Sequence, residues 1–544
     1  MAKNNKDSTL SPDAPLKHDD HPRPVSRREF IKQGFVTGSA TLLTGGIFSL
    51  FTNPNQAEAA VSSDLQALAD SMSTCALGGL SGGKVPFICF DLAGGANLAG
   101  SNVLVGQGAG QMNLLSTGGY SKLGIPGDMV PGLNSAGVTL LNTSTNNDFT
   151  NDQLKLLFHA DSAMLSGIIE KAGISISNVD GCVIPARSDN DTGNNAHNPL
   201  YGIAKAGGQG TVVDLIGSRS SDSGGNSMSP AALINPEVRP TKVDRPSDVT
   251  GMVDVGNLTA ILNADDVTAV MESIARVSHK KMSLGAVNTG LTNDAVVKDL
   301  IRCGYLKSAD IANRFAGIPV DPEADLDILS IFSAAEFSDR EFAKTASVMK
   351  MVVNGYAAGG CITMGGYDYH TGNRRTGENR DLRAGRCIGA CLSYAQKLNK
   401  PLMIYVFSDG SVASNGAADN STSTGAGTTL SLGGRGKGQW TGDNSSTACS
   451  FFLVYSPTGT PTLSANGLTP ELHRQIGRMS ADASVVTSAT PAANNPNLLV
   501  NMLLLNYMAV NGDITPSNTS AFTTLFPNHG LGSNLADYIS FAAL

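Results

Sequence analysis

Charge is scarce in this chain: Asp, Glu, Lys and Arg make up 15% of its 544 residues, and acidic side chains outnumber basic ones 46 to 38. Nucleic-acid backbones are held by clustered Lys and Arg, so a net charge of −8 argues against that class of partner. Aromatic residues are also sparse, at 6%, with a single tryptophan, Trp440. Beyond the first sixty or so positions no stretch reaches the roughly 18 apolar residues needed to span a bilayer. The nearest, Leu498 to Val510, is broken by Asn501 and Asn506 and reads as a core helix. No transmembrane helix is expected in the mature chain. The eight cysteines include no Cys-x-x-Cys pair, which argues against a zinc cluster or a haem attachment.

Glycine, by contrast, is abundant, with 61 residues alongside many Ser, Thr and Asn, so long loops should connect the elements of an otherwise globular chain. The length suffices for one large α/β unit with insertions or for a few domains.

The N-terminus carries the most specific signal. A polar leader is followed by Ser26-Arg27-Arg28-Glu29-Phe30-Ile31-Lys32, then by a mildly apolar, glycine-bearing run from Gly34 to Phe51, and Ala57-Glu58-Ala59 fits a small-x-small cleavage site. Residues 1–59 therefore resemble a twin-arginine export signal, which implies a bacterial protein carried folded by the twin-arginine translocation machinery to the periplasm or beyond. An even cysteine count in an exported protein permits disulfides. Cys89, Cys182, Cys361 and Cys449, however, sit in apolar β-type runs where a buried thiol is the simpler expectation.

In chain order, a helix is expected near Ser63 to Met72, and Val85 to Asp91 reads as the first central parallel strand, ending in a carboxylate and the turn Gly94-Gly95-Ala96-Asn97. A helical pattern runs from Phe149 to Gly173. Val179 to Pro185 reads as a buried strand that delivers the polar segment Arg187 to Asn198, either a binding loop containing His197 or a solvated surface loop. Thr211 to Gly217 is a further strand. Helices should fill 246–347 as an insertion or lid, including one begun by Asn263 and another opened by a Ser338/Glu341 capping box. Residues 60–245 and 348–456 would form the two parts of the α/β core, and 457–544 a helical and loop-rich end. Residues 411–448 are low in apolar content and rich in Gly, Ser, Thr and Asn, and within them the basic segment Gly433 to Gln439 reads as a mobile loop.

The chain is organised around Cys361-Ile362-Thr363-Met364-Gly365-Gly366-Tyr367-Asp368-Tyr369-His370. Here an apolar strand breaks at Gly-Gly and presents Asp368 and His370. Pro401 to Gly410 repeats the plan, a buried strand ending in Ser408-Asp409-Gly410. Two such carboxylates separated by one helix are expected on neighbouring strands facing one crevice.

The leader, the Gly94-Gly95-Ala96-Asn97 turn, the Gly-Gly-x-Asp-x-His motif and the helix containing Asn501-Met502-Leu503-Leu504-Leu505-Asn506-Tyr507 together resemble a family of exported bacterial proteins of unknown function. That family is placed in the alkaline phosphatase-like superfamily with sulfatases and phosphomutases. The resemblance implies a three-layer α/β sandwich whose mostly parallel central sheet has helices on both faces and carries a helical insertion. It also implies a metal set of Asp91, Asp368, His370 and Asp409, with Asn97, His197 and Asp443 as secondary candidates and a divalent Zn, Mg, Mn or Ca as the cofactor. Ser101 is the nearest candidate for a nucleophile.

Departures from the family pattern are equally plain. Asn97 stands where Asp is common, Gly410 follows Asp409 where His is expected, and Asn444 follows Asp443 without a His. Two functions follow from this combination. One is an envelope protein with a degenerate metal site that binds an anionic small molecule or a cell-envelope ligand, or acts as a scaffold. The alternative is a metal-dependent hydrolase of phosphate or sulfate esters.

Overall fold

A computed structural model describes residues 61–72, 75, 84–188, 195–253, 262–285, 287–288, 290, 292–315, 320–372, 374–422 and 432–544. The twin-arginine segment and its cleavage site lie outside these residues, as do positions 189–194 of the polar loop.

The strands are β1 (Phe87–Ala93), β2 (Thr150–Leu154), β3 (Leu156–His159), β4 (Val179–Pro185), β5 (Val213–Gly217), β6 (Thr241–Lys242), β7 (Ala357–Gly365), β8 (Leu402–Phe407), β9 (Val412–Ala418), β10 (Gly438–Asp443) and β11 (Cys449–Tyr455). Seven of them form one sheet in the order β4-β11-β8-β1-β7-β5-β6. Its pairings are parallel except those that β11 makes with β8 and β4. Continuous apolar runs such as Phe87-Ile88-Cys89-Phe90 and Leu402 to Phe407 suit such a sheet because both of its faces are covered.

Among the helices are α1 (Ser63–Asp70), α2 (Ala163–Ala172), α3 (Ala264–Ser283), α4 (Asp294–Phe315), α5 (Arg340–Val353), α6 (Arg374–Lys397) and α7 (Pro496–Val510). Alternation along β1 sorts them into layers. Ile88, Phe90 and Leu92 pack with Met164, Val348 and Ile388 of α2, α5 and α6, while Phe87 and Cys89 pack with Leu503 and Tyr507 of α7. The architecture is thus α/β with a mixed, mostly parallel central sheet and helices on both faces, an arrangement compatible with a three-layer sandwich. A third, separate core joins Leu65 and Ala69 of α1 to Val267, Met271 and Leu306 of α3 and α4, where Cys75 and Cys303 form a disulfide. Cys89, Cys182, Cys361, Cys387, Cys391 and Cys449 are buried free thiols. Among the described residues no helix is long and apolar enough to cross a membrane.

Several local expectations need correcting. The pattern from Phe149 gives a β2–β3 hairpin before α2 starts, because Leu154, Leu156 and Phe158 are buried at a period of two and Lys155 takes a positive φ of 61° at the turn. Helix α5 is capped by Asp339, whose side chain accepts from the Glu341 N–H, and the capping box lies instead at Ser333 and Glu336. The apolar period predicts a helix over Leu382 to Leu398, but α6 begins at Arg374, since its first turns bury charged residues that break that period. The sequence from Pro470 to Met479 also predicts a helix, of which a single turn, Pro470–His473, forms. The expected mobile loop at Gly433 to Gln439 runs into β10, which pairs with β9 as an antiparallel hairpin. Finally, β7 and β8 are not neighbours. Strand β1 lies between them and puts Asp91 in the middle.

Candidate metal site and the buried carboxylates beneath it

Strand β7 ends at Gly365, and Gly366 takes a positive φ of 89° where a Cβ would strike the Arg380 guanidinium. The Tyr367 N–H then donates to the Ala93 carbonyl, which ties the turn to the end of β1. Tyr367 and Tyr369 point inward and are buried, so the residues alternating with them, Asp368 and His370, face outward. His370 Nε2 lies 2.7 Å from Asp368 Oδ1, with the two side chains 35% and 68% exposed. Asp443, at the end of β10, completes a cluster: one ligand atom from each of Asp368, His370 and Asp443 lies within 4.8 Å of the others. Two carboxylates and one imidazole on an open surface fit a divalent ion that keeps water in its remaining positions.

Asp91 and Asp409 do not join this cluster. Asp91 is buried, and its Oδ2 accepts from the N–H groups of Asn226 at 2.6 Å and Ser227 at 2.9 Å, while Oδ1 takes the Ser227 hydroxyl at 3.2 Å. Burial raises its pKa to about 6, and the nearby Asp409 charge adds to the shift against the pull of these hydrogen bonds. Asp409 Oδ1 accepts from the Gly94 N–H at 2.8 Å, and Asn195 donates to its carbonyl. The loop that reaches Asp91 needs glycine at 225, where a Cβ would sit 2.8 Å from Asp91 Oδ2 and 2.9 Å from Cys361 Sγ. Between the two groups stands the Gly94 turn, since a Cβ on Gly94 would lie 2.5 Å from the Asp368 backbone nitrogen.

His197 belongs with the buried pair. Its ring is stacked on Phe407 and its Nε2 meets Ser188 Oγ at 3.1 Å, while Nδ1 is buried with no hydrogen-bond partner among the described residues. Burial pushes its pKa down to about 4, opposed by Asp409, so the imidazole is neutral at pH 7. Asn97 is buried as well: its amide donates to the Val412 carbonyl at 3.0 Å and its backbone N–H to the Tyr369 hydroxyl. Ser101 is committed elsewhere. Its hydroxyl donates to the Leu123 carbonyl at 2.8 Å and accepts from Arg374 at 3.1 Å, so this buried oxygen is not presented to the surface cluster.

Sequence reasoning missed a knot of buried charges behind the cluster. Lys437, expected in a mobile loop, is 1% exposed and bonds Glu378 at 2.7 Å and Asp161 at 3.1 Å. Arg374 bonds Glu378 at 2.8 Å and stacks over Trp440 at 4.3 Å from the ring centroid. Burial pushes the neighbouring Asp381 up to about 7, partly offset by a hydrogen bond from Asn102. The signals available were the four-residue Arg374–Glu378 spacing and the lone tryptophan; nothing in the linear sequence pairs them with Lys437. No family model matches the chain, and comparisons with curated proteins and with solved structures return no match.

Proposed function

We propose that this chain is a twin-arginine-exported protein of the periplasm or cell envelope, with an alkaline phosphatase-like fold and a reduced metal site that serves binding rather than efficient turnover. The observation that carries this reading is where the inherited carboxylates spend their hydrogen-bonding capacity. Asp91 is engaged by three protein donors and Asp409 by the Gly94 N–H, while Asp368, His370 and Asp443 face solvent. A divalent ion on the surface cluster, open to solvent on its outer side, can accept an oxygen of an anionic small molecule or a cell-envelope polymer. The candidate nucleophile Ser101 is locked to Leu123 and Arg374, which removes it from attack on such a ligand. The Cys75–Cys303 disulfide supports export, because such bonds persist in oxidising compartments.

Purified mature protein should bind Mn²⁺ or Zn²⁺ stoichiometrically by calorimetry, with Asp443→Ala weakening binding by at least roughly tenfold, since losing a ligand should cost no less than losing a group that orients one. Aryl phosphate and aryl sulfate should be turned over poorly. Rapid metal-dependent hydrolysis that disappears in Asp368→Ala would instead establish the ester hydrolase. Absence of any divalent-ion binding would remove the site itself.

A further inference from the structure

The surface cluster is assembled from two separate pieces of chain: Asp368 and His370 follow β7, whereas Asp443 ends β10. Nothing in the local sequence holds one piece against the other. The contact that does so lies four residues beyond His370 and three residues before Asp443. Arg374 is fully buried, and its guanidinium carbon lies over the Trp440 ring, 4.3 Å from the centroid. The same group donates from Nη1 to the Gly438 and Gly124 carbonyls, both at 3.1 Å, from Nη2 to Ser101 Oγ, and from Nε to Glu378. Beside it the Gly372 N–H donates to the Trp440 carbonyl, a direct backbone link between the two pieces. Glu378 is shared with Lys437, the residue just before β10, so the start of that strand is held from both sides.

We infer that Arg374 is a positioning residue for the metal site: through Trp440 and Gly438 it sets the distance from Asp443 to Asp368 and His370. This rests on the reading of those three residues as a divalent-ion site. The planar fork matters as well as the charge. A lysine would keep the charge opposite Glu378 but could neither stack flat on the indole nor satisfy two carbonyls and a hydroxyl at once.

The test is Mn²⁺ binding to the full mature chain, measured by calorimetry on wild type, Arg374→Lys, Asp443→Ala and the double variant, with folding checked by circular dichroism. Arg374→Lys should weaken binding by roughly tenfold, the size of effect seen when groups that orient metal ligands are lost. The double variant should bind no more weakly than Asp443→Ala, because with Asp443 removed there is nothing left for Arg374 to place. Wild-type affinity in a folded Arg374→Lys protein, or a further loss of similar size in the double variant, would overturn the inference while leaving the site intact. If wild type itself binds no Mn²⁺, the site reading and the inference fall together. Should Arg374→Lys not fold, Trp440→Phe takes its place with the same two expectations, since it trims the ring under the guanidinium and leaves a buried aromatic.

Discussion

At the residue scale, burial decides what each carboxylate can do. Buried Asn97 shows where a carboxylate would not serve: its amide donates to the Val412 carbonyl, a bond that an Asp at this position could not make in its ionised form. The fold therefore uses the donor that an amide supplies at this position. Asp381 is the opposite case, a carboxylate kept where water cannot reach it. Its Oδ2 accepts from Asn102 and its Oδ1 has no hydrogen-bond partner among the described residues. With a folded pKa raised to about 7 from 3.8, its contribution to stability is fully present below pH 3.8 and is lost as pH rises through 7. His159 and His197, both pushed down to about 4, act in the opposite sense between about pH 4 and 6.5, so the wild-type profile alone mixes these effects. Comparing wild type with Asp381→Asn isolates the carboxyl. In urea unfolding the difference between them should move in favour of the variant by roughly 1.4 kcal/mol per pH unit between pH 4 and 7, then level off. A difference that does not change with pH would mean that Asp381 titrates normally.

At the scale of elements, small residues let two helices meet backbone to backbone. Gly385 and Gly389 of α6 and Gly167 of α2 leave no room for side chains: a Cβ at 385 would lie 2.0 Å from the Met164 carbonyl oxygen, and one at 167 would lie 2.3 Å from that of Leu382. Neither obstacle is a flexible side-chain tip, so the helices themselves would have to part. Gly385→Ala would gain up to about 1 kcal/mol of helix propensity on an isolated helix. Here it should instead destabilise the protein by about 1–3 kcal/mol through overpacking, as read by chemical denaturation. Full or raised stability would show that the crossing can open at little cost.

The β9–β10 hairpin makes a related point, because Lys437 is held by Glu378 and Asp161 although its own sequence is glycine-rich and polar. Glycine-rich composition describes the freedom of an isolated chain. It carries no information about a partner contributed by a helix some sixty residues away in sequence, as Glu378 is from Lys437.

At the scale of the whole molecule, the described residues form three hydrophobic cores that are tied to one another unequally. The two large ones share the central sheet, whereas the third is built from α1, α3 and α4. Helix α1 has only eight residues, so it is not a stable helix without what it packs on. Its docking is secured by the Arg276–Asp64 ion pair and by Cys75–Cys303, a bond between positions 228 residues apart. The exposed ion pair adds little by itself. The disulfide, which restricts the unfolded chain over a long loop, should contribute about 2–5 kcal/mol. In Cys303→Ser, limited proteolysis should cut first in the segment around α1 while the sheet region stays resistant, and thermal unfolding should gain an early transition. Unchanged protease resistance and a single unchanged transition would show that packing alone holds α1.

Local pattern was enough to recover the buried strands of the central sheet from their apolar runs, the start of α3 from its Asn263 cap, helix α7, and the pair Asp368 and His370 after a Gly-Gly break. These features depend on residues within a few positions of one another, where alternation, capping chemistry and backbone freedom act directly. Which carboxylates would meet was not of that kind. Asp443 reaches His370 only because a hairpin folds back onto α6, and Asp91 turns away from both because the loop at 225–227 claims it first. Strand order settles such meetings, and strand order follows from how helices pack over the whole sheet. A ligand set assembled from distant segments is therefore a property of the closed fold, and the order of its members along the chain could only suggest it.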